Sequence, residues 1–149
     1  MNYLITFGTA MVPVVELRGA IPLGLSLGLS PFEAYIISAV GNMLPVPFII
    51  LLTRLIFEWL RKTAWWGKKI EWLEKKAHLK GRLIQKYRLL GLALLVAIPL
   101  PGTGAWTGAL VAALFEIRLR TALPVILGGV LVAGAVVLGA SCGVIAMWA

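Results

Sequence analysis

The sequence predicts an all-α integral membrane protein: an inverted repeat of a re-entrant helical hairpin plus a long transmembrane helix, the two copies joined by a basic amphipathic cytoplasmic helix. Composition is the first reason. Hydrophobic residues make up 60% of the 149 and charged ones 13%, with a mean hydropathy of +0.95, far from the balance of a soluble domain of this length. The second is that a broken apolar stretch followed by an unbroken one occurs twice. The third is the placement of cations. Eleven of the fourteen Lys and Arg residues fall between Arg54 and Arg88, a short segment between two apolar regions, where the positive-inside rule puts cytoplasmic charge.

The first apolar stretch, residues 2–30, is too long for one crossing at roughly 20 residues and too short for two. Pro13, Gly19, Pro22, Gly24 and Gly28 interrupt it. Two half-length helices meeting at a bend fit that length. Such a hairpin leaves non-helical backbone at membrane depth, tolerated only where protein or a water-filled cavity covers it. MNYLITFGTA has neither a basic n-region nor an AxA-like cleavage site, so this segment is expected to stay in the mature protein. A long helix over residues 31–60 completes repeat one, residues 1–60. Ser30, Pro31 and Glu33 suit a capping box at its start, and Pro45 and Pro47 should kink it.

Residues 61–88 form the basic linker. Trp59, Trp65, Trp66 and Trp72 are interleaved with its cations, as expected for amphipathic rings at headgroup level beside an anionic leaflet. Trp66, Ile70, Leu73 and Ala77 recur at helical spacing and Glu71 stands four before Lys75, which predicts a helix lying on the membrane and contacting anionic lipid headgroups. Gly81 weakens any extension of that helix. Repeat two, residues 89–149, has a hairpin over 89–116, broken by IPLPGTG from Ile98 to Gly104, and a transmembrane helix over 121–149. Glu116 is expected to pair with Arg118 and Arg120 at the interface.

GAIPLG from Gly19 aligns with GAWTG from Gly104, setting Gly24 opposite Gly108. The pairs Gly41–Asn42 and Gly128–Gly129 match after a short shift. Internal symmetry of this kind marks transporter folds. With the linker in the cytoplasm and both termini outside, every Lys and Arg except Arg18 becomes cytoplasmic. The two hairpins then have opposite orientations, with tips meeting near the midplane. A multi-pass membrane protein follows. Four full spans without re-entrant loops remain the alternative. The small residues of GGVLVAGAVVLGASCG allow close helix approach within the chain or in a homodimer.

Several function classes fall away. Cys142 is the single cysteine, and His78 has no partner at metal-ligand spacing, so no disulfide framework, metal site or cofactor is expected. No nucleophile–base constellation suggests an enzyme. The net charge of +8 sits in the linker rather than over a soluble surface, which argues for membrane lipid rather than nucleic acid. What remains is Glu16 and Arg18, the only charges before Glu33. A charge at the bilayer centre costs roughly 2.5–3.5 kcal/mol on insertion scales, and such residues are functional candidates.

Residues two apart point to different sides of a helix, so Glu16 and Arg18 are expected to meet at a bent tip near Gly19. Helix N-termini near Gly19 and near 102–104 would favour an anion there, and the Arg18 guanidinium suits a phosphate. The candidate substrate-binding set is Glu16, Arg18, Gly19 and Pro22 from the first hairpin with Pro101, Gly102, Thr103 and Gly104 from the second.

VELRGAIPLGLSLGLSP and IPLPGTGAWTGALVAAL together resemble the small multi-drug export family and, more distantly, the DedA superfamily. The family resemblance implies the plasma (inner) membrane of a bacterium or archaeon. The DedA resemblance implies two oppositely oriented re-entrant hairpins and, for some members, proton-coupled recycling of undecaprenyl phosphate, with Glu16 at the place of the acidic residue of the first hairpin. DedA proteins carry arginines in the second hairpin, whereas PGTG here is uncharged. The resulting expectation is a transporter or flippase of an anionic lipid phosphate, in which protonation of Glu16, the proton-coupling residue, frees Arg18 for the headgroup. An exporter of small amphipathic cations would use Glu16 as the binding carboxylate. A non-transporting scaffold would hold the two charges as a buried pair.

Overall fold

A computed structural model describes residues 1–63, 65, 67–69, 71–72, 75 and 81–148, with the backbone alone at 81–86. Among the described residues the helices are α1 (Asn2–Met11), α2 (Glu16–Ser26), α3 (Pro31–Met43), α4 (Pro45–Arg61), α5 (Gly81–Ala97), α6 (Ala105–Leu114) and α7 (Leu119–Trp148), besides helical residues in the linker. Among the described residues there is no strand. Two helical stretches, Pro31–Arg61 and Leu119–Trp148, are long and apolar enough to cross a membrane. By contrast α1, α2 and α6 have 10, 11 and 10 residues, about 15 Å at 1.5 Å per residue, half the roughly 30 Å hydrocarbon core.

The first hairpin bends earlier than expected. Pro13 cannot continue α1, and Val12 before it is extended at φ −74° and ψ 128°, as a residue preceding proline prefers. The chain turns at 12–15, and ELRG becomes the first turn of α2 rather than a bent tip. Pro22 sits inside α2 with its ring exposed. At the other end, Ser30 and Glu33 form the expected capping box: Ser30 Oγ accepts from the Glu33 N–H at 3.3 Å and Glu33 Oε2 accepts from the Ser30 N–H at 2.9 Å. The long first span divides at Leu44, directly before Pro45, where the missing N–H and the ring interrupt the ladder.

The described part of α5 runs from Gly81 to Ala97, so residues 81–88, expected in the linker, are helical and continuous with the segment from Leu89. In the linker, residues 65, 67–69, 71–72 and 75 are helical and Trp65 and Trp72 are exposed. The expected apolar face of Trp66, Ile70, Leu73 and Ala77, and His78, lie outside the described residues.

In each half two helices, α1 and α2 or α5 and α6, precede a long helical stretch, and small residues set the packing of each. Gly41 of α3 faces α1, where an added Cβ would meet Phe7 O at 2.7 Å and Ala10 Cβ at 3.0 Å. Gly129 of α7 faces α5 in the same way, with Val96 Cβ at 2.7 Å and Ala93 O at 3.1 Å. The alanines of α6 (Ala105, Ala109, Ala112, Ala113) are buried in a core completed by Ile21, Ile50, Leu92, Val96, Ile126 and Val130. This packing presents the start of α2 to the loop between α5 and α6.

Candidate functional site

Glu16 begins α2 with φ 47°, a left-handed backbone that few non-glycine residues adopt. Its N–H donates to Val12 O at 2.8 Å, which closes the 12–15 turn. Strain of this kind persists where the surroundings over-determine it, and here they do. The carboxylate is buried, at 4% exposure, and Oε1 accepts from the Trp106 backbone N–H at 3.2 Å.

That amide belongs to the first turn of α6, whose N-cap is Gly104, a residue with no side chain to satisfy it. Glu16 does the capping from the other half of the molecule, and a carboxylate at a helix N-terminus also meets the positive end of the macrodipole. Gly104 has φ +143°, and a Cβ there would overlap the carboxylate, lying 2.6 Å from Glu16 Cδ. Glycine is required twice over, for its backbone and for this close approach. Trp106 reaches back, its Nε1 donating to Met11 O, the end of α1, at 3.2 Å.

Arg18 crosses to the same loop. Its Nη2 donates to the Thr103 carbonyl and, at 2.8 Å, to Thr103 Oγ1. Thr103 Oγ1 in turn lies 2.7 Å from Ile98 O and 2.8 Å from Leu100 O, so it braces the 98–104 loop. Gly102 takes φ +84° and its carbonyl accepts from Thr107 Oγ1 at 2.8 Å.

Glu16 and Arg18 do not form a direct ion pair: among the described residues none joins them within 4.0 Å, although the Arg18 charge still acts on the carboxylate. With ELRG helical, residues two apart diverge. The loop between α5 and α6 takes each charge separately. Of the expected set, the structure brings together Glu16, Arg18, Thr103 and Gly104. Gly19 meets only Val15 of its own turn, Pro22 is exposed one turn further along α2, and Pro101 and Gly102 are exposed in the loop.

The sequence reading missed three residues. Trp106 was passed over because its contribution is a backbone amide, which no side-chain pattern signals. Ser38 and Asn42 lie on one face of α3, both fully buried, and neither Ser38 Oγ nor the Asn42 amide has a hydrogen-bond partner among the described residues. Their signal was available, as two polar residues four apart in an apolar helix.

A family model described as "Putative small multi-drug export protein" matches residues 16–136. No curated protein and no solved structure matches the chain. The match runs from Glu16 through all of the site to the middle of α7, and the chain belongs to this family of small multi-drug export membrane proteins.

Proposed function

We propose that this protein exports small amphipathic cations, with Glu16 as the carboxylate that takes either the cation or a proton. One observation carries this reading. Glu16 is buried and strained with no cation within 4.0 Å, whereas Arg18 is engaged by Thr103. A backbone amide is neutral, so it caps the carboxylate without cancelling its charge. A cation and a proton then compete for one group, and proton entry on one side drives release of the cation on the other. Ser38 and Asn42 are further buried polar groups that a polar route could use, since such groups need partners.

In the proposed fold, α1–α2 and α5–α6 are re-entrant hairpins of opposite orientation in repeats 1–60 and 89–149, joined by the cytoplasmic linker 61–88 in the plasma membrane. Three features support it: the half-membrane length of α1, α2 and α6, the matched packing of Gly41 and Gly129, and the contact of Glu16 and Arg18 with the loop of the other half. The orientation is supported by Arg54 bonding Ile117 O and Arg61 pairing with Glu116, which gathers the cations flanking the linker at one end.

The lipid-phosphate reading uses Arg18 instead, and Arg18 would first have to leave Thr103. Proteoliposomes under an imposed pH gradient separate the two. For cation export, Glu16→Gln lowers transport of a fluorescent lipophilic cation at least tenfold, about 1.4 kcal/mol, while Arg18→Ala still binds it. For lipid-phosphate flipping, Arg18→Ala abolishes movement of a labelled polyprenyl phosphate. Full cation export by Glu16→Gln would sink the proposal.

A further inference from the structure

A cavity of about 400 Å³ opens at the corner between α6 and α7, lined by Arg88, Leu89, Phe115, Glu116, Ile117, Arg118 and Thr121. It shares no residue with the Glu16 site. Three features give it a chemical preference. The Arg88 guanidinium stacks 5.3 Å from the Phe115 ring, and its buried Nε–H has no partner among the described residues. The one acid in the lining, Glu116, is already taken by Arg61 in an ion pair. Arg118 lines the cavity directly before α7, whose first turn holds no acidic residue, so its cation meets the positive end of a 30-residue helix, an arrangement that is unfavourable unless an anion joins it.

The equivalent corner of the first half shows what is missing. There α2 ends with Leu29 N–H bonding Gly24 O at 3.0 Å and Gly28 N–H bonding Leu25 O at 3.1 Å, and α6 ends in the same pattern, Ile117 to Ala112 at 2.9 Å and Glu116 to Ala113 at 3.1 Å. The next helix then starts two residues later in both. In α3 the third helical residue is Glu33, which closes the capping box. In α7 that position is Thr121, and no carboxylate stands there.

We propose that this cavity binds a phosphate-class anion, free or carried by a lipid headgroup, held by Arg88 and Arg118 at the N-terminus of α7. Arginine forks and the positive end of a helix match phosphate oxygens. The apolar walls of Leu89, Phe115 and Ile117 suit the neighbouring glycerol or acyl chain if the source is a lipid. The site does not depend on what Glu16 transports.

Thermal unfolding of the full chain in neutral detergent tests it, with inorganic phosphate in one arm and phosphatidylglycerol-doped micelles in the other. The expected result is a rise of the midpoint by a few degrees with saturating ligand. A response to phosphate identifies the free anion, and a response to phosphatidylglycerol alone identifies the headgroup. Arg88→Gln and Arg118→Gln lose the response at least tenfold in ligand concentration, and Arg118 is exposed, so its folding is not at stake. Arg120→Gln, outside the cavity, keeps it. Thr121→Glu supplies the absent carboxylate: its midpoint without ligand rises and the response disappears. No response to either ligand in the wild type would overturn the proposal, as would a Thr121→Glu variant that responds like wild type or an Arg120→Gln loss equal to that of Arg118→Gln.

Discussion

In the first half the chain turns from α1 to α2 in four residues, 12–15, and the two charges follow at once. In the second half the turn from α5 to α6 takes seven, 98–104, and carries no charge. One half supplies charged side chains and the other supplies uncharged groups, two of them backbone and one the Thr103 hydroxyl. Glu16 meets the Trp106 amide and Arg18 meets the Thr103 carbonyl. Had both halves supplied charges, each would have been neutralised by an ion pair, which is hard to separate in a low-dielectric interior. Dipolar partners satisfy the hydrogen bonds without an ion pair.

The comparison breaks most severely at Gly104. Gly104→Ala demands a positive φ of alanine and drives a methyl group into the Glu16 carboxylate, so it should cost about 3 kcal/mol or more, read from the unfolding midpoint in detergent. In a Glu16→Ala background only the backbone term remains, and the cost should fall to about 1 kcal/mol. Equal costs in both backgrounds would mean that the two residues do not touch. Glu16→Ala by itself uncaps α6 and leaves the Trp106 amide unpaired, for about 1–3 kcal/mol. Glu16→Gln keeps an acceptor and should cost less in stability while losing transport.

Arg18→Ala removes both hydrogen bonds to Thr103, and Thr103→Val removes only the one to Oγ1 together with that hydroxyl's contacts to Ile98 O and Leu100 O. Each should cost about 1–2 kcal/mol, and the double variant clearly less than the sum. The smallest effects come from the corners that follow each hairpin. Gly28 at φ +86° and Glu116 at φ +53° occupy the same left-handed position. Gly28→Ala should therefore destabilise by about 1 kcal/mol. Glu116→Gly should stabilise by up to about 1 kcal/mol, less the small worth of the exposed Arg61 pair. A loss on Glu116→Gly larger than that pair can account for would show that the carboxylate does more at this corner than hold Arg61.

Features set by neighbours in the chain were readable in advance. The Ser30–Glu33 capping box, the interruption at Pro45, the break at 98–104 and the two long apolar helices all follow from spacings of a few residues or from hydropathy over one span. The first bend is not where Gly19 and Gly24 suggest: both glycines sit within α2, where a Cβ on Gly24 would lie 3.1 Å from Thr6 Cγ2 and from Ala34 Cβ. Pro13, with its restricted neighbour Val12, was the true stop. Glu116 was expected to pair with nearby Arg118 and Arg120. Its positive φ instead turns the chain at the end of α6, and Arg61, 55 residues away, takes the carboxylate.

By itself the sequence determined a membrane-type helical chain, where its cations lie, and that Glu16 and Arg18 are the charges whose burial needs explaining. Only the tertiary structure decided what satisfies them: the Trp106 amide and the Thr103 carbonyl, 90 and 85 residues away. The reason is physical. Helix starts, caps and apolar length are local free energies summed over a few neighbouring residues, and those residue types can be read directly. A backbone amide is the same group at every position. Which one a buried carboxylate reaches depends on how α2 and α6 pack, and on glycine at 104 leaving room for the contact.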